Sequence, residues 1–196
     1  MLEIVLATRN RDKVREIKKI LNGISARLLS LDDFPGCPEV VEDGETLEAN
    51  AKKKALVVSQ YTKKFSLAED TGLEVEALSG APGIHSARFA GDNVTYEDNN
   101  KKLLKLMEKF SWGERSARFR CVAALAKPDG EVVTCEVVCE GMIAFEMKGE
   151  SGFGYDPLFL LPEYSKTFAE LGEEMKNKIS HRARALGKMK EIINNL

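Results

Sequence analysis

Leu2-Glu3-Ile4-Val5-Leu6-Ala7, followed at once by Thr8-Arg9-Asn10-Arg11-Asp12-Lys13, is the stretch on which the fold turns. Apart from Glu3 the first six residues are apolar, and polar residues bound them, which is the pattern of a buried strand. From about Asp12 to Leu21 the apolar spacing changes, and Val14, Ile17 and Leu21 form one helical stripe. Asn22-Gly23 suits the end of that helix. The chain therefore opens as a strand that hands over to a helix.

Outward from this unit, strands and helices continue to alternate. A second strand is expected over Ala26–Leu31, and a loop over Asp32–Pro38, which holds two prolines and a glycine. A helix follows from about Glu45 to Tyr61, with Leu47, Ala51, Ala55 and Val58 on one face. Phe65–Glu69 reads as a strand running into Asp70-Thr71-Gly72, and Leu73–Leu78 as another, with Ser79–Ile84 a loop. A helix is expected over Tyr96–Phe110, where Leu103, Leu106, Met107 and Phe110 repeat at helical spacing. Ser116–Ala126 and Glu131–Glu140 form the clearest hairpin, turned by Pro128-Asp129-Gly130. Phe119, Cys121, Ala123 and Leu125 alternate on one strand, and Val133, Cys135, Val137 and Cys139 on the other. Gly149–Pro157 breaks regular structure. The last helix runs from about His181 to Asn194, turning Ala183, Leu186, Met189 and Ile193 inward, with Ser180 as a cap.

No repeat, low-complexity tract or linker interrupts the 196 residues, so residues 1–196 are expected to form a single domain. Early alternation followed by a long hairpin argues for α/β with a mixed sheet. One lobe would hold the N-terminal strand and its helices and the other the hairpin, and a cleft separating two lobes is the natural substrate site.

Composition narrows the function. Twenty-nine basic against 31 acidic residues give a formal net charge of -2. Proteins that live on polynucleotides carry a basic excess, so a stable nucleic-acid partner is disfavoured. No apolar run reaches the length of a membrane span, and the apolar start is too short for a signal peptide. Cys37, Cys121, Cys135 and Cys139 form no CxxC pair. They are expected to be buried reduced thiols of a cytoplasmic protein with no membrane partner.

Four clusters carry chemistry. Thr8-Arg9-Asn10-Arg11-Asp12-Lys13 lies at a strand-to-helix junction, where free N–H groups and the helix dipole attract phosphate. The plainer alternative makes Asn10 or Asp12 a cap and Lys13 a solvated charge. Glu42 and Asp43 precede a helix, and Glu69-Asp70-Thr71-Gly72 ends a strand. Mg²⁺ takes one or two carboxylates with waters and substrate phosphates, and a carboxylate beside it can activate a water. Solvated acidic loops are the alternative. An Asp-Thr-Gly triplet also occurs in aspartic proteases, but these need two, and one is present.

In Ser151-Gly152-Phe153-Gly154-Tyr155-Asp156-Pro157, two glycines let backbone approach a planar ligand, Phe153 can stack on a base, and Asp156 can read its edge. A tight turn with buried aromatics is the alternative. Lys176 and Ser180-His181-Arg182 offer cations and donors for phosphate or a purine carbonyl, against a capped helix with an exposed basic first turn. Lys54, in Lys52-Lys53-Lys54, falls near the edge of its helix's buried face. His85 sits in a glycine-rich loop, and two histidines without ligand spacing do not make a zinc site.

Together these clusters resemble the inosine/xanthosine triphosphate pyrophosphatase family, the non-canonical purine NTP pyrophosphatases. The matching pieces run in order along nearly the whole chain: Thr8 to Lys13, Glu42-Asp-Gly44 to Asn50 and Lys54, Ala68-Glu69-Asp70-Thr71-Gly72, Gly80 to Arg88, Ser151 to Pro157, and Thr167 to Leu171 with Lys176 and Ser180-His181-Arg182. The resemblance implies an elongated mixed sheet with flanking helices, a cleft between two lobes, and a homodimer. It implies Mg²⁺ and cleavage of ITP, dITP and XTP to monophosphate and pyrophosphate, which cleanses the nucleotide pool. It places Thr8, Asn10, Lys13 and Lys54 on the triphosphate, and Glu42 and Asp70 at the metal, with Asp70 the catalytic base. Thr71, Phe153, Gly154, Tyr155, Asp156, Lys176, His181 and Arg182 would hold the nucleoside. Many relatives have Asp-Asp-Ser where this chain has Glu69-Asp70-Thr71, which leaves the part of Glu69 open.

On this reading a water attacks in line between the α- and β-phosphorus, and donors on His181 or Arg182 favour a 6-oxygen over the 6-amino group of ATP by ~10⁴ or more. A pyrophosphatase of pyrimidine or modified triphosphates, and a non-catalytic nucleotide sensor, are the rival readings.

Overall fold

The computed structural model describes every residue, Met1–Leu196. Strand β1 runs over Leu2–Leu6, helix α1 over Arg11–Ile20, β2 over Ala26–Leu29 and α2 over Leu47–Thr62. Then come β3 (Phe65–Val75), β4 (Pro82–Gly83), α3 (Tyr96–Met107), β5 (Ser116–Ala126) and β6 (Val132–Ile143). The chain finishes with β7 (Phe159–Leu161), β8 (Lys166–Thr167), α4 (Phe168–Ile179) and α5 (His181–Asn194). The strand order is β2-β1-β3-β5-β6-β7-β8, with β4 on β3. β1 pairs in parallel with β2 and β3, and β4, β7 and β8 join antiparallel, so the fold is α/β with a mixed sheet. No helix is long and apolar enough to cross a membrane.

Two compact units share the chain. The first comprises Met1–Asp70, Cys121–Val137 and Arg182–Leu196, the second Thr71–Arg120 and Val138–His181. Neither is contiguous, so no linker separates them in sequence. The first unit's core gathers Ile4 and Leu6 of β1, Ile17 and Leu21, Leu67, Cys121, Ala123 and Leu125, and Ala185, Leu186 and Met189 of α5. The second unit's core gathers Leu73, Leu103, Met107, Phe119, Phe159 and Phe168.

Most expected elements form, and the departures have local causes. α2 starts at Leu47 rather than Glu45 because Thr46 caps it, its hydroxyl accepting from Ala49 N–H at 3.0 Å. Leu106, expected on the inner face of α3, is exposed, and Asn99 and Asn100 are buried with Leu103 and Met107 instead. β5 alternates only up to Arg120, and Cys121–Ala126 are all buried, as in a strand covered on both faces. The largest departure is β3. One continuous strand replaces the expected break at Asp70-Thr71-Gly72, so Asp70 is a strand residue like Glu69 before it.

The region between Pro157 and Ser180, where no element is expected, holds β7, β8 and α4. Its signal was a capping box: Glu170 N–H donates to the Thr167 hydroxyl, and Thr167 N–H donates to the Glu170 carboxylate. Gly172, at φ 79°, kinks α4 and hides its period. The four cysteines form no disulfide, and three of them are buried.

Candidate active site

At the end of β1 the chain turns into α1 through Thr8 and Asn10. The Asn10 side-chain oxygen accepts from Asp12 N–H at 2.9 Å and Lys13 N–H at 3.1 Å, and the Thr8 hydroxyl accepts from Asn10 N–H at 3.2 Å. Asn10 is thus the helix cap. Lys13 is no solvated charge, because its Nζ lies 2.9 Å from Glu69 Oε1.

Neighbouring residues of a strand point to opposite faces, and β3 uses this to sort its two acids. Glu69 meets α1 and α5. Besides Lys13 it takes Arg182 Nη2 at 3.3 Å, while Arg182 Nη1 donates to Glu16 at 2.6 Å. Asp70 meets α2 instead. Lys54 Nζ donates to Asp70 Oδ1 at 2.9 Å, to Glu42 Oε1 at 2.8 Å and to the Glu69 carbonyl at 3.0 Å, so its three protons have three acceptors. One ammonium therefore gathers the two carboxylates, Glu42 and Asp70.

The electrostatics follow from burial. Burial pulls the Lys54 ammonium down, but the Asp70 and Glu42 carboxylates outweigh it and hold it charged. Burial pushes the Asp70 carboxyl above the ordinary aspartate range, with Lys54 and then Lys13 opposing the rise. For Arg182, burial is likewise outweighed by Glu69 and Glu16, which raise it.

In the second unit, Asp156 organises the glycine-rich turn. Its Oδ2 accepts from Phe153 N–H at 2.8 Å and from Lys176 Nζ at 2.6 Å, with both charged side chains 2% exposed. Gly152, at φ 80°, leaves the room this needs, since a Cβ there would stand 2.0 Å from Asp156 Oδ2. The Gly154 carbonyl accepts from Asn100 Nδ2 at 2.9 Å. The half-buried Phe153 ring has Lys176 Nζ 4.6 Å from its centre and the Tyr96 ring 5.7 Å away. Tyr155 is a core residue whose hydroxyl donates to the Ser86 carbonyl at 2.9 Å, and burial raises its pKa. His181 is buried and stacked on Phe119 with ring centres 4.3 Å apart. Thr71 is half-buried on β3, next after Asp70.

The exposed basic first turn weighed for α5 is thus absent, since His181 and Arg182 are both buried. Lys176, expected at the nucleoside, pairs with Asp156, and Arg182 with Glu16 and Glu69. Glu16, Asn100 and Phe119 were not anticipated as partners of these residues. Nothing in a lone buried Glu on a helix advertises a partner 166 residues away.

No group of three or more His, Cys, Asp or Glu is arranged to hold a metal by protein ligands alone. The Glu42–Asp70 pair, one side chain buried and the other about one-third exposed, suits a cation that keeps waters and takes its remaining ligands from phosphate.

The same segments are matched elsewhere. The sequence profile of the Ham1 family covers residues 4–192. A dITP/XTP pyrophosphatase from Desulforamulus reducens is 53% identical over 195 residues, covering 100% of this chain and 97% of that protein. One from Geobacter sulfurreducens is 50% identical over 191 residues, covering 97% and 96%. The structure of a HAM1 protein from Coxiella burnetii superposes with a TM-score of 0.91 at 38% identity, covering 100% of both chains. Matched over nearly every residue that builds the two clusters, the chain belongs to the Ham1 family.

Proposed function

We propose that the protein is a nucleoside-triphosphate pyrophosphatase that hydrolyses ITP, dITP and XTP to monophosphate and pyrophosphate. The observation that carries this is the gathering of Glu42 and Asp70 on the Lys54 ammonium, in the same unit as the capped junction Thr8–Lys13. The names of the relatives from Desulforamulus reducens and Geobacter sulfurreducens support the substrate class.

The first unit's residues take the triphosphate. The positive end of α1, the Thr8 hydroxyl and the charges of Lys13 and Lys54 meet its oxygens. Glu42 and Asp70 are the residues that would hold Mg²⁺, which supplies neutralisation of phosphate charge when bound. Asp70 takes a proton from the attacking water. The water oxygen bonds to phosphorus, the bridge between the α- and β-phosphorus breaks, and pyrophosphate leaves. Holding the reactants in line and meeting the developing charge account for most of the acceleration in such transfers.

The nucleoside falls to the glycine-rich turn and the residues around it. Phe153 offers a ring for the base, and Gly154 and Thr71 offer close polar groups. Lys176 and Asp156 hold the turn in shape, and Tyr155 anchors it to the core. His181, fixed by Phe119, donates to the 6-oxygen. Arg182 keeps Glu69 neutralised and Lys13 in place. Phe153→Ala should raise KM for dITP by ~10-fold with kcat little changed, because base stacking contributes ~1–3 kcal/mol. An unchanged KM removes Phe153 from the base.

The same reading takes residues 1–196 as one functional domain of a cytoplasmic homodimer. Pyrophosphate release from ITP, XTP, dITP, GTP and ATP, with and without Mg²⁺, tests the function. Hydrolysis that needs Mg²⁺ and favours ITP, dITP and XTP over ATP by ~10⁴ or more is expected, as sites built around a buried hydrogen bond discriminate strongly. Equal rates on ITP and ATP or dTTP overturn it.

A further inference from the structure

Asn50 is a polar residue on the buried face of α2 with no part in the chemistry above. It is the fourth residue of the helix and 2% exposed. Asparagine is a poor choice there on both counts, since it favours caps and turns over helix interiors, and a buried amide must find partners. Its partners lie on one residue. Gly44 N–H donates to Asn50 Oδ1 at 2.8 Å, and Asn50 Nδ2 reaches the Gly44 carbonyl at 3.5 Å. Gly44 is matched to this approach: a Cβ there would stand 2.7 Å from Asn50 Oδ1 and 2.9 Å from the Ala49 Cβ. Its φ is not left-handed, so space and not conformation requires the glycine.

Gly44 lies two residues beyond Glu42 on the same loop. One helical turn after Asn50, on the same face of α2, Lys54 takes the Glu42 carboxylate. The helix therefore grips the loop twice, by its backbone at Gly44 and by its charge at Glu42. We infer that Asn50 is a positioning residue for Glu42, setting the loop so that its carboxylate faces Asp70 ready for a divalent cation. This rests on the reading of Glu42 and Asp70 as the metal pair.

The test is a Mg²⁺ titration of wild type, Asn50→Ala, Asn50→Asp and Gly44→Ala with two readouts. One is the Mg²⁺-dependent rise in thermal midpoint of the substrate-free protein, the other the Mg²⁺ concentration giving half-maximal dITP hydrolysis. Groups that orient metal ligands typically change metal affinity 10–100-fold. Asn50→Ala should need ~10-fold or more Mg²⁺ in both readouts, with kcat at saturating Mg²⁺ within about threefold of wild type. Asn50→Asp, which keeps an acceptor for Gly44 N–H, should recover most of the loss. Gly44→Ala should mimic Asn50→Ala from the other side of the contact, and it decides the matter if Asn50→Ala does not fold. A lower thermal midpoint with an unchanged Mg²⁺ requirement makes Asn50 merely structural and overturns the inference. Wild-type protein that hydrolyses dITP without any need for Mg²⁺ overturns the metal reading and this inference together.

Discussion

Asp70→Asn lowers turnover on dITP by ~10²–10⁴-fold, the range typical for loss of a general base, while the protein stays folded. Asparagine keeps the volume of the side chain but cannot accept a proton from water. The fold survives because Lys54 retains its other two acceptors, the Glu42 carboxylate and the Glu69 carbonyl, so no ammonium is stranded. The pH profile carries a second mark of the same residue. Burial raises the Asp70 carboxyl above the usual range, and the base works only when ionised. Activity should therefore fall on the acid side at a pH above the ordinary aspartate value of about 3.9. Purified Asp70→Asn compared with wild type by circular dichroism and single-turnover hydrolysis checks both points. Near-normal rates in the variant would remove Asp70 from the role.

Glu69 shows why the choice between neighbouring acids was beyond the sequence. With Asp70-Thr71-Gly72 taken as a strand end, Glu69 and Asp70 look equally free to meet a ligand. Once β3 runs unbroken through them, the two-residue period sends one to Lys13 and Arg182 and the other to Lys54. The handover from β1 to α1 and the span of α5 were legible, because apolar spacing and a cap define them within a few residues of chain. The burial of Lys176 and Arg182 was not. A cation looks solvated until its carboxylate is known, and Asp156 lies 20 residues from Lys176 while Glu69 lies 113 from Arg182. α4 fell between these cases: the sequence carries its capping box, but Gly172 breaks the helical period. The resemblance named the clusters in order along the chain. It assigned members to the triphosphate, the metal and the nucleoside, but not the contacts by which those members hold one another in place.

Arg182→Met should cost the fold ~3–5 kcal/mol, the price typical of removing one partner from a buried ion pair. Arg182 is 3% exposed, and its guanidinium lies against two carboxylates, each nearly sealed from water. Methionine fills similar space but brings no charge. Glu16 and Glu69 then face each other's field with Lys13 the remaining cation on Glu69, and each must stay desolvated or take up a proton. For a protein of this length each kcal/mol lowers the melting temperature by ~2–4 °C, so a fall on the order of 10 °C is expected by calorimetry. The compensated variant separates charge from packing. Glu16→Gln and Glu69→Gln added to Arg182→Met remove the stranded charges, and should restore more than half of the lost stability. The same triple variant should remain a poor enzyme, because Lys13 loses the carboxylate that aims it. If Arg182 instead served substrate directly, the single variant would melt close to wild type and show its loss in KM alone.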